Sequence, residues 1–277
     1  MIRLETSSDP RIEVYRDLPA RSAGGDSNCF VCEGRWVVQR LMASEVPVRS
    51  VLVREGLEDE FSALAGNRFP VYVLPKRAIS EWVGFDFHRG VLACGERPEI
   101  LSAETLTWES SCGLTLMLDG VCESENLGTI LRSCAALGVQ RIVLTGKTID
   151  PFRRRVIRVS MAAVLVQRFY RAESGSAWVR GLLRTNDVRV MASCLDAEAP
   201  AIHDFVPDGR PVVLIIGSEG HGLDAATKQA ATERIRIPMQ PGIDSLNVSA
   251  AAAILLYELG RPSVENDTKG NPPLSFL

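Results

Sequence analysis

An amide, a carboxylate, a hydroxyl, a second amide and a guanidinium fall in three short segments of this 277-residue chain. The first is Asn126-Leu127-Gly128, with Arg132 one turn after the glycine. The second is Gly217-Ser218-Glu219-Gly220-His221-Gly222. The third runs from Arg236-Ile237-Pro238-Met239 through a Pro241-Gly242 turn to Asp244-Ser245-Leu246-Asn247-Val248 and an alanine-rich run. A loop rich in special backbone positions, followed by capping polar residues and a helix of small side chains, is how a chain presents backbone groups to a small ligand. Glycines where a strand meets a helix permit positive φ and let a ligand approach the backbone. The spacing is not G-x-G-x-x-G, and no Lys-Ser/Thr follows to make a phosphate-binding loop. Taken singly, each segment also has a plain reading. Asn126, Ser245 and Asn247 are common helix caps, Arg132 is a surface residue and His221 a loop histidine.

The elements that must position these groups are predicted from apolar periodicity. Strands are expected at Leu114–Leu118, Arg141–Leu144, Val188–Ala192, Val212–Ile216 and Arg234–Ile237. Leu127, Ile130, Leu131, Cys134 and Ala135 form a helical stripe, with Asn126 as N-cap and Gly138 as stop. Val248, Ala251, Ala252, Leu255, Leu256 and Leu259 form a second stripe, capped by Ser245 or Asn247 and ended by Gly260 and Pro262. Upstream, strands at Phe30–Gly34, Ser50–Val53, Val71–Leu74 and Gly90–Cys94 alternate with helices at Trp36–Ala43, Leu57–Ala65 and Lys76–Val83. Such alternation implies a mostly parallel sheet. The expected organisation is an N-terminal extension (1–26), a first α/β domain (27–97), a linker (98–112), a second α/β domain (113–262) and a loose tail (263–277).

A hydrophobic content of 46% and a charged content of 23% suit a globular chain with a real core. No apolar run approaches the roughly 18–20 residues of a membrane span, and Met1 to Glu5 holds no apolar signal core. The expectation is a soluble, cytoplasmic protein. Seven scattered cysteines, with Cys29 and Cys32 as an isolated C-x-x-C, and three histidines argue against a metal site or a disulfide framework. A net charge of −3 weighs against a general nucleic-acid binder. Yet Pro151 to Arg171 contains six arginines and no acid. That block is either a phosphate-contacting surface or a helix face paired to acids elsewhere.

Asn126-Leu127-Gly128-x-x-x-Arg132, Gly217 to Leu223, and Ile237-Pro238-Met239 through Ser245-Leu246-Asn247-Val248-Ser249-Ala250-Ala251-Ala252 resemble, in order and spacing, the three motifs of the SpoU/TrmH branch of SPOUT RNA methyltransferases. Arg158-Val159-Ser160-Met161-Ala162-Ala163 looks like the Arg-Ala-Ser-Met-Gly-Ala stretch between the first two motifs, with Ala162 where many members have glycine. The Pro241-Gly242 glycine falls one place later than in the commonest third motif. The resemblance covers about residues 112–260; residues 30–95 look, more weakly, like the small RNA-binding domain of rRNA-directed members.

This resemblance implies an α/β chain: a C-terminal parallel-sheet SPOUT domain with a trefoil knot, preceded by a small α/β RNA-binding domain. It implies S-adenosylmethionine as cofactor, contacted by Gly217, Ile237 and Leu246, with Glu219, Gly220 and Met239 nearby. It implies 2′-O-methylation of a ribose in structured RNA, rRNA favoured over tRNA, by a homodimer with its active site at the interface. Arg132 matches the family's essential arginine, and Asn126, Glu219, Ser245 and Asn247 would shape the site. Given an RNA substrate, Arg153, Arg154, Arg155 and Arg158 become candidate phosphate contacts. The alternative is a knotted RNA-binding ribosome-assembly protein without turnover; retention of Arg132, Glu219, Ser245 and Asn247 speaks against it. A nucleotide-binding oxidoreductase would need a dinucleotide fingerprint, and none is present.

Overall fold

The structure is a computed structural model that describes residues 1–21, 28–108 and 113–260. In chain order the strands are β1 (Ile2–Arg3), β2 (Cys29–Glu33), β3 (Val48–Arg54), β4 (Val71–Leu74), β5 (Val91–Glu96), β6 (Leu101–Ser102), β7 (Leu114–Asp119), β8 (Arg141–Thr145), β9 (Arg168–Ala172), β10 (Arg189–Ser193), β11 (Val212–Gly217) and β12 (Glu233–Ile235). The helices are α1 (Leu18–Arg21), α2 (Arg35–Ala43), α3 (Glu58–Ala65), α4 (Lys76–Val83), α5 (Ser124–Ala136), α6 (Arg154–Val159), α7 (Gly175–Thr185), α8 (Ala225–Ala230) and α9 (Val248–Leu259). Two compact units result. One comprises Met1–Pro98 with Asp150–Leu165, the other Glu99–Ile149 with Val166 onward. Among the described residues, no helix is long and apolar enough to cross a membrane.

The first unit is a five-stranded sheet in the order β1-β4-β3-β5-β2. It is mixed rather than mostly parallel. β1, β4 and β3 run together, but β5 is antiparallel to both β3 and β2. Val91 to Gly95 is buried at every position, and a strand buried on both faces shows no periodicity from which direction could be read. Segment 1–26, expected as an extension, supplies an edge strand and core residues. Ile2 pairs with Tyr72, and Ile12 and Tyr15 are fully buried. The Tyr15 hydroxyl lies 2.8 Å from Ser50 Oγ. The apolar residues there are spaced by a 3-10 turn, Pro10–Tyr15, which shows neither strand nor α-helix period. Residues 22–27 lie outside the described residues.

The second unit is a seven-stranded sheet, β12-β10-β11-β7-β8-β9-β6, in which every pairing is parallel. Met117, Val143, Tyr170, Val190, Val213 and Ile215 pack on one face against Trp178, Val179 and Leu182 of α7. Their alternates Leu116, Leu118, Ile142, Leu144, Leu214 and Ile216 are buried as well. α9 packs on β11 and against α5. Parallel sheets need such cover on both faces, and each side chain so buried contributes roughly 1.5–3 kcal/mol. Periodicity finds neither β9 nor α7. Arg168-Phe169-Tyr170-Arg171-Ala172 reads first as part of a charge block, though it is a strand with Phe169, Tyr170 and Ala172 buried. Stretch 98–112, expected as a linker, holds β6 and the core residues Ala103 and Leu106; residues 109–112 of it lie outside the described residues.

The two motif-bearing helices end as the sequence predicts. Gly138 (φ +76°) closes α5, with Val139 N–H donating to the Cys134 carbonyl at 2.8 Å. Gly260 follows α9, and Asn247 is its cap, accepting from Ser249 N–H.

Candidate active site

β7 and β11 are neighbours, with Asp119 opposite Gly217. Onward from β7 the sheet grows to β8 and β9; beyond β11 it grows to β10 and β12. The strand order therefore reverses between β7 and β11. In open parallel sheets the crevice outside the carboxyl ends at such a reversal is where ligands bind. α5 and the glycine-rich loop leave the sheet at this place.

The loop after β11 is held at both ends. Ser218 and Gly222 exchange backbone hydrogen bonds, at 3.1 and 2.9 Å. Gly222 takes φ +66°. A Cβ on Gly217 would lie 2.2 Å from the Gly222 carbonyl carbon, so only glycine lets the loop return this closely. His221 is exposed, and its N–H donates to Ser218 Oγ. At the far end, Asp224 N–H donates to Asp119 Oδ2 at 3.3 Å, while Thr145 Oγ1 donates to Asp119 Oδ1. Thr148 accepts from Gly120 N–H and donates to the Leu118 carbonyl, both at 2.9 Å.

Three of the singled-out residues meet in one network. Asn126 Nδ2 donates to Glu219 Oε2 at 2.8 Å and to Glu123 Oε2 at 3.3 Å. Asn247 Nδ2 donates to Asn126 Oδ1 at 3.0 Å and approaches both Glu219 oxygens at 3.4 Å. Asn247 Oδ1 accepts from Ser249 N–H at 2.9 Å and from Ser249 Oγ at 2.6 Å. The helix cap thus dictates which way the Asn247 amide faces. That amide orients Asn126, and Asn126 presents its donors to the carboxylates. The product is a carboxylate held by two amides beside a glycine-lined backbone turn.

Asn126 is not the N-cap of α5. The helix begins at Ser124, with Glu123 in the cap position, and Asn126 is buried in the first turn. The residue types that cap helices also serve in side-chain networks, so sequence cannot separate the two uses. Arg132 is exposed and, among the described residues, has no hydrogen-bond or ion-pair partner. Ser245 is exposed and unbonded in the same sense. Ile237, Met239 and Leu246 are half-buried in the connection from β12 to α9, Gly217 is buried and Gly220 exposed. The expected turn is there: Ile243 N–H donates to the Gln240 carbonyl at 3.2 Å, with Gly242 at φ +85°. Glu123, Asp119, Thr145 and Thr148 escaped sequence reasoning. An acid three residues before Asn126, on the same helix edge, was the available signal for Glu123.

The arginine block divides. Arg154 pairs with Glu33 Oε2 and lies 4.6 Å over the Phe85 ring; Arg158 Nη1 donates to Glu33 Oε1 at 2.9 Å. These two, expected as phosphate contacts, also pair with a buried acid within the first unit, and the Arg158 side chain keeps part of its surface exposed. Arg153 and Arg155 are exposed. Ala162 takes φ +65° and its N–H reaches the Ile157 carbonyl at 2.9 Å, so the chain keeps at alanine a left-handed backbone that glycine favours. This costs about 1–2 kcal/mol.

Residues 113–257 match the model of the SpoU rRNA Methylase family. An uncharacterized tRNA/rRNA methyltransferase of Mycobacterium bovis is 34% identical over 91% of this chain and 89% of its own length. The 23S rRNA (guanosine(2553)-2′-O)-methyltransferase RlmP of Bacillus subtilis is 26% identical over 94% of this chain and 99% of its own. Among solved structures, an AdoMet-bound rRNA methyltransferase from Sinorhizobium meliloti superposes with a TM-score of 0.77 at 25% identity, covering 93% of this chain and 97% of that one. The chain belongs to the SpoU rRNA methylase family.

Proposed function

We propose that this SpoU-family chain transfers a methyl group from S-adenosylmethionine to a ribose 2′-hydroxyl of structured RNA, with rRNA as the substrate class. The observation that carries the reading is the hydrogen-bonded set Asn126–Glu219–Asn247, which joins three remote segments at the strand-order reversal. The lining suits the cofactor. The fixed Glu219 carboxylate favours a cationic ligand, the turn at Gly217 to Gly222 offers bare backbone, and Ile237, Met239 and Leu246 offer apolar surface. When bound, S-adenosylmethionine supplies a methyl carbon that is already electrophilic.

The chain's own residues then have to hold the hydroxyl in line and manage its proton. Positioning of this kind is worth several kcal/mol of barrier. Among the described residues Arg132 is unpaired, which leaves it available to the target phosphate. A guanidinium stays protonated to a pH above about 12, whereas an efficient base titrates near working pH. Arg132 therefore orients the nucleotide, and the proton leaves late, shared with solvent. Ser245 and Gly220, both exposed on the flanking loops, complete the rim.

The first unit, with the exposed Arg153 and Arg155, serves as the RNA-holding domain. The relative RlmP, named for 23S rRNA, supports rRNA over tRNA. A homodimer with the active site at its interface is supported by apolar surface on α9, where Ile254 and Tyr257 are 39% and 56% exposed. The family reading adds a trefoil knot in the second unit. The protein would work in the cytoplasm, where its RNA is.

The test is transfer of labelled methyl from S-adenosylmethionine to total RNA from cells lacking the protein, fractionated into rRNA and tRNA. Label is expected in rRNA, and Arg132→Ala abolishes it while cofactor affinity stays. Absence of cofactor binding by calorimetry overturns the reading.

A further inference from the structure

Three of the four tryptophans have partners inside the protein. Trp82 donates its indole N–H to the Ile12 carbonyl at 3.0 Å and carries Arg16 over its ring. Trp178 donates to the Ala103 carbonyl at 3.1 Å and packs on Trp108, whose ring also carries Arg141. Trp36 differs. It is 69% exposed and, among the described residues, makes no ring, cation–π or side-chain hydrogen-bond contact. A large aromatic residue more than two-thirds exposed does little for the fold.

The surroundings of its attachment point are positive. Trp36 is the second residue of α2. Gly34, the cap of that helix, sits at φ +96°, and a Cβ there would lie 3.3 Å from Arg89 Nη1. The preceding residue, Glu33, is buried and faces Arg154, Arg158 at 2.9 Å and Arg89 at 3.8 Å. Three guanidiniums around one carboxylate leave an excess of positive charge. The Arg89 and Arg158 side chains are 53% and 35% exposed, so their remaining donors face water. Arg35, by contrast, is offset by Glu60 at 2.7 Å. A mostly exposed aromatic in the first turn of α2, with surplus guanidinium gathered at Glu33 and Gly34 where that helix begins, is the kind of arrangement that binds unpaired nucleotides: the ring stacks a base and the arginines take the phosphates.

We propose that Trp36 is a base-stacking platform for an unpaired RNA nucleotide, with Arg89 and Arg158 on the adjoining phosphates. The proposal rests on the RNA-directed reading above and places one substrate contact in the first unit.

The experiment uses the full chain and a short fluorescein-labelled single-stranded RNA of mixed sequence, with the same sequence as a duplex for competitor. Trp36→Ala should weaken single-strand affinity by about 5- to 100-fold, as loss of one stacked base does. Trp36→Phe should retain most of it. RNA should quench tryptophan fluorescence in the unaltered chain and not in Trp36→Phe. Arg89→Ala should lower the slope of log affinity against log salt by about one, and Trp36→Ala should leave that slope alone. The duplex should compete poorly. Unchanged RNA affinity in Trp36→Ala, or no quenching in the unaltered chain, overturns the proposal; capture of an acidic peptide in place of RNA does so too. The two readings separate cleanly. Methyl transfer with no effect of Trp36→Ala on RNA affinity sinks only this proposal. A Trp36-dependent RNA affinity in a chain that binds no S-adenosylmethionine sinks only the methyl-transfer reading.

Discussion

Replacing Gly217 by alanine puts a methyl group where the loop's own backbone lies. The new Cβ would stand 2.2 Å from the Gly222 carbonyl carbon, 2.3 Å from its oxygen and 2.4 Å from Leu223 N. Ordinary contact begins near 3.4 Å, so the returning limb must retreat by about 1.2 Å. The two Ser218–Gly222 backbone hydrogen bonds and the 2.8 Å Asn126–Glu219 bond cannot all survive that shift. Crowding of this kind costs about 1–3 kcal/mol, and loss of the backbone pair adds about 1–3 kcal/mol. A catalytic-loop displacement near 1 Å lowers turnover on the order of a hundredfold. The assay is kcat/KM for labelled methyl transfer, with thermal unfolding in parallel, for Gly217→Ala, Gly222→Ala and Gly220→Ala. A Cβ on Gly220 meets nothing within 4 Å, so that variant should unfold within about 0.5 kcal/mol of the unaltered chain. Gly222 has open space but φ +66°, for a cost of about 1–2 kcal/mol. A Gly217→Ala protein with unaltered melting and turnover, or a Gly220→Ala protein as impaired as Gly217→Ala, would refute the steric reasoning.

Glu33→Gln should destabilise the chain by about 2 kcal/mol in urea unfolding, less than the 3–5 of a fully buried pair because Arg154 and Arg158 reach water; an unchanged midpoint would show the cluster to be inert. Among the cysteines of the described residues, alkylation at pH 8 followed by mass spectrometry should find the exposed Cys122 modified first. Burial pushes the Cys32 thiol up to about 12 and raises Cys134 as well, so both should react only after unfolding. Acid stability follows from Asp9 and Asp208, held at about 2 by side-chain hydrogen bonds from Arg11 and Arg210 respectively. Their folded values lie below the unfolded value of about 3.9, so the stability they add is complete above that pH and is lost as pH falls towards 2. Melting temperature should therefore show no pH dependence from these pairs between about pH 5 and 8, where their contribution is complete, and should decline below about pH 4; Asp9→Asn and Asp208→Asn should lose that acid limb.

Much of this protein is written locally. The apolar runs of β7, β8, β10 and β11, the stripes of α5 and α9, the stop at Gly138 and the Pro241-Gly242 turn each depend on neighbours a few residues away, and such signals survive in a bare sequence. The three polar segments were legible for the same reason, since each pairs a turn with a helix start. Their meeting was not. Asn126 and Glu219 are 93 residues apart and Asn126 and Asn247 are 121 apart, and no local rule selects a partner over that distance. Only the order of strands, with its reversal between β7 and β11, brings the segments to one end of one sheet. Tertiary structure likewise decided that Arg154 and Arg158 answer to Glu33, 121 and 125 residues away, that β5 runs against its neighbours, and that Trp36 is mostly exposed where Trp82 and Trp108 are partly buried and Trp178 is buried. Periodicity states which face of an element is buried; what lies against that face, and which charge meets which, follows from chain topology, because long-range pairing is chosen by the packing of whole elements.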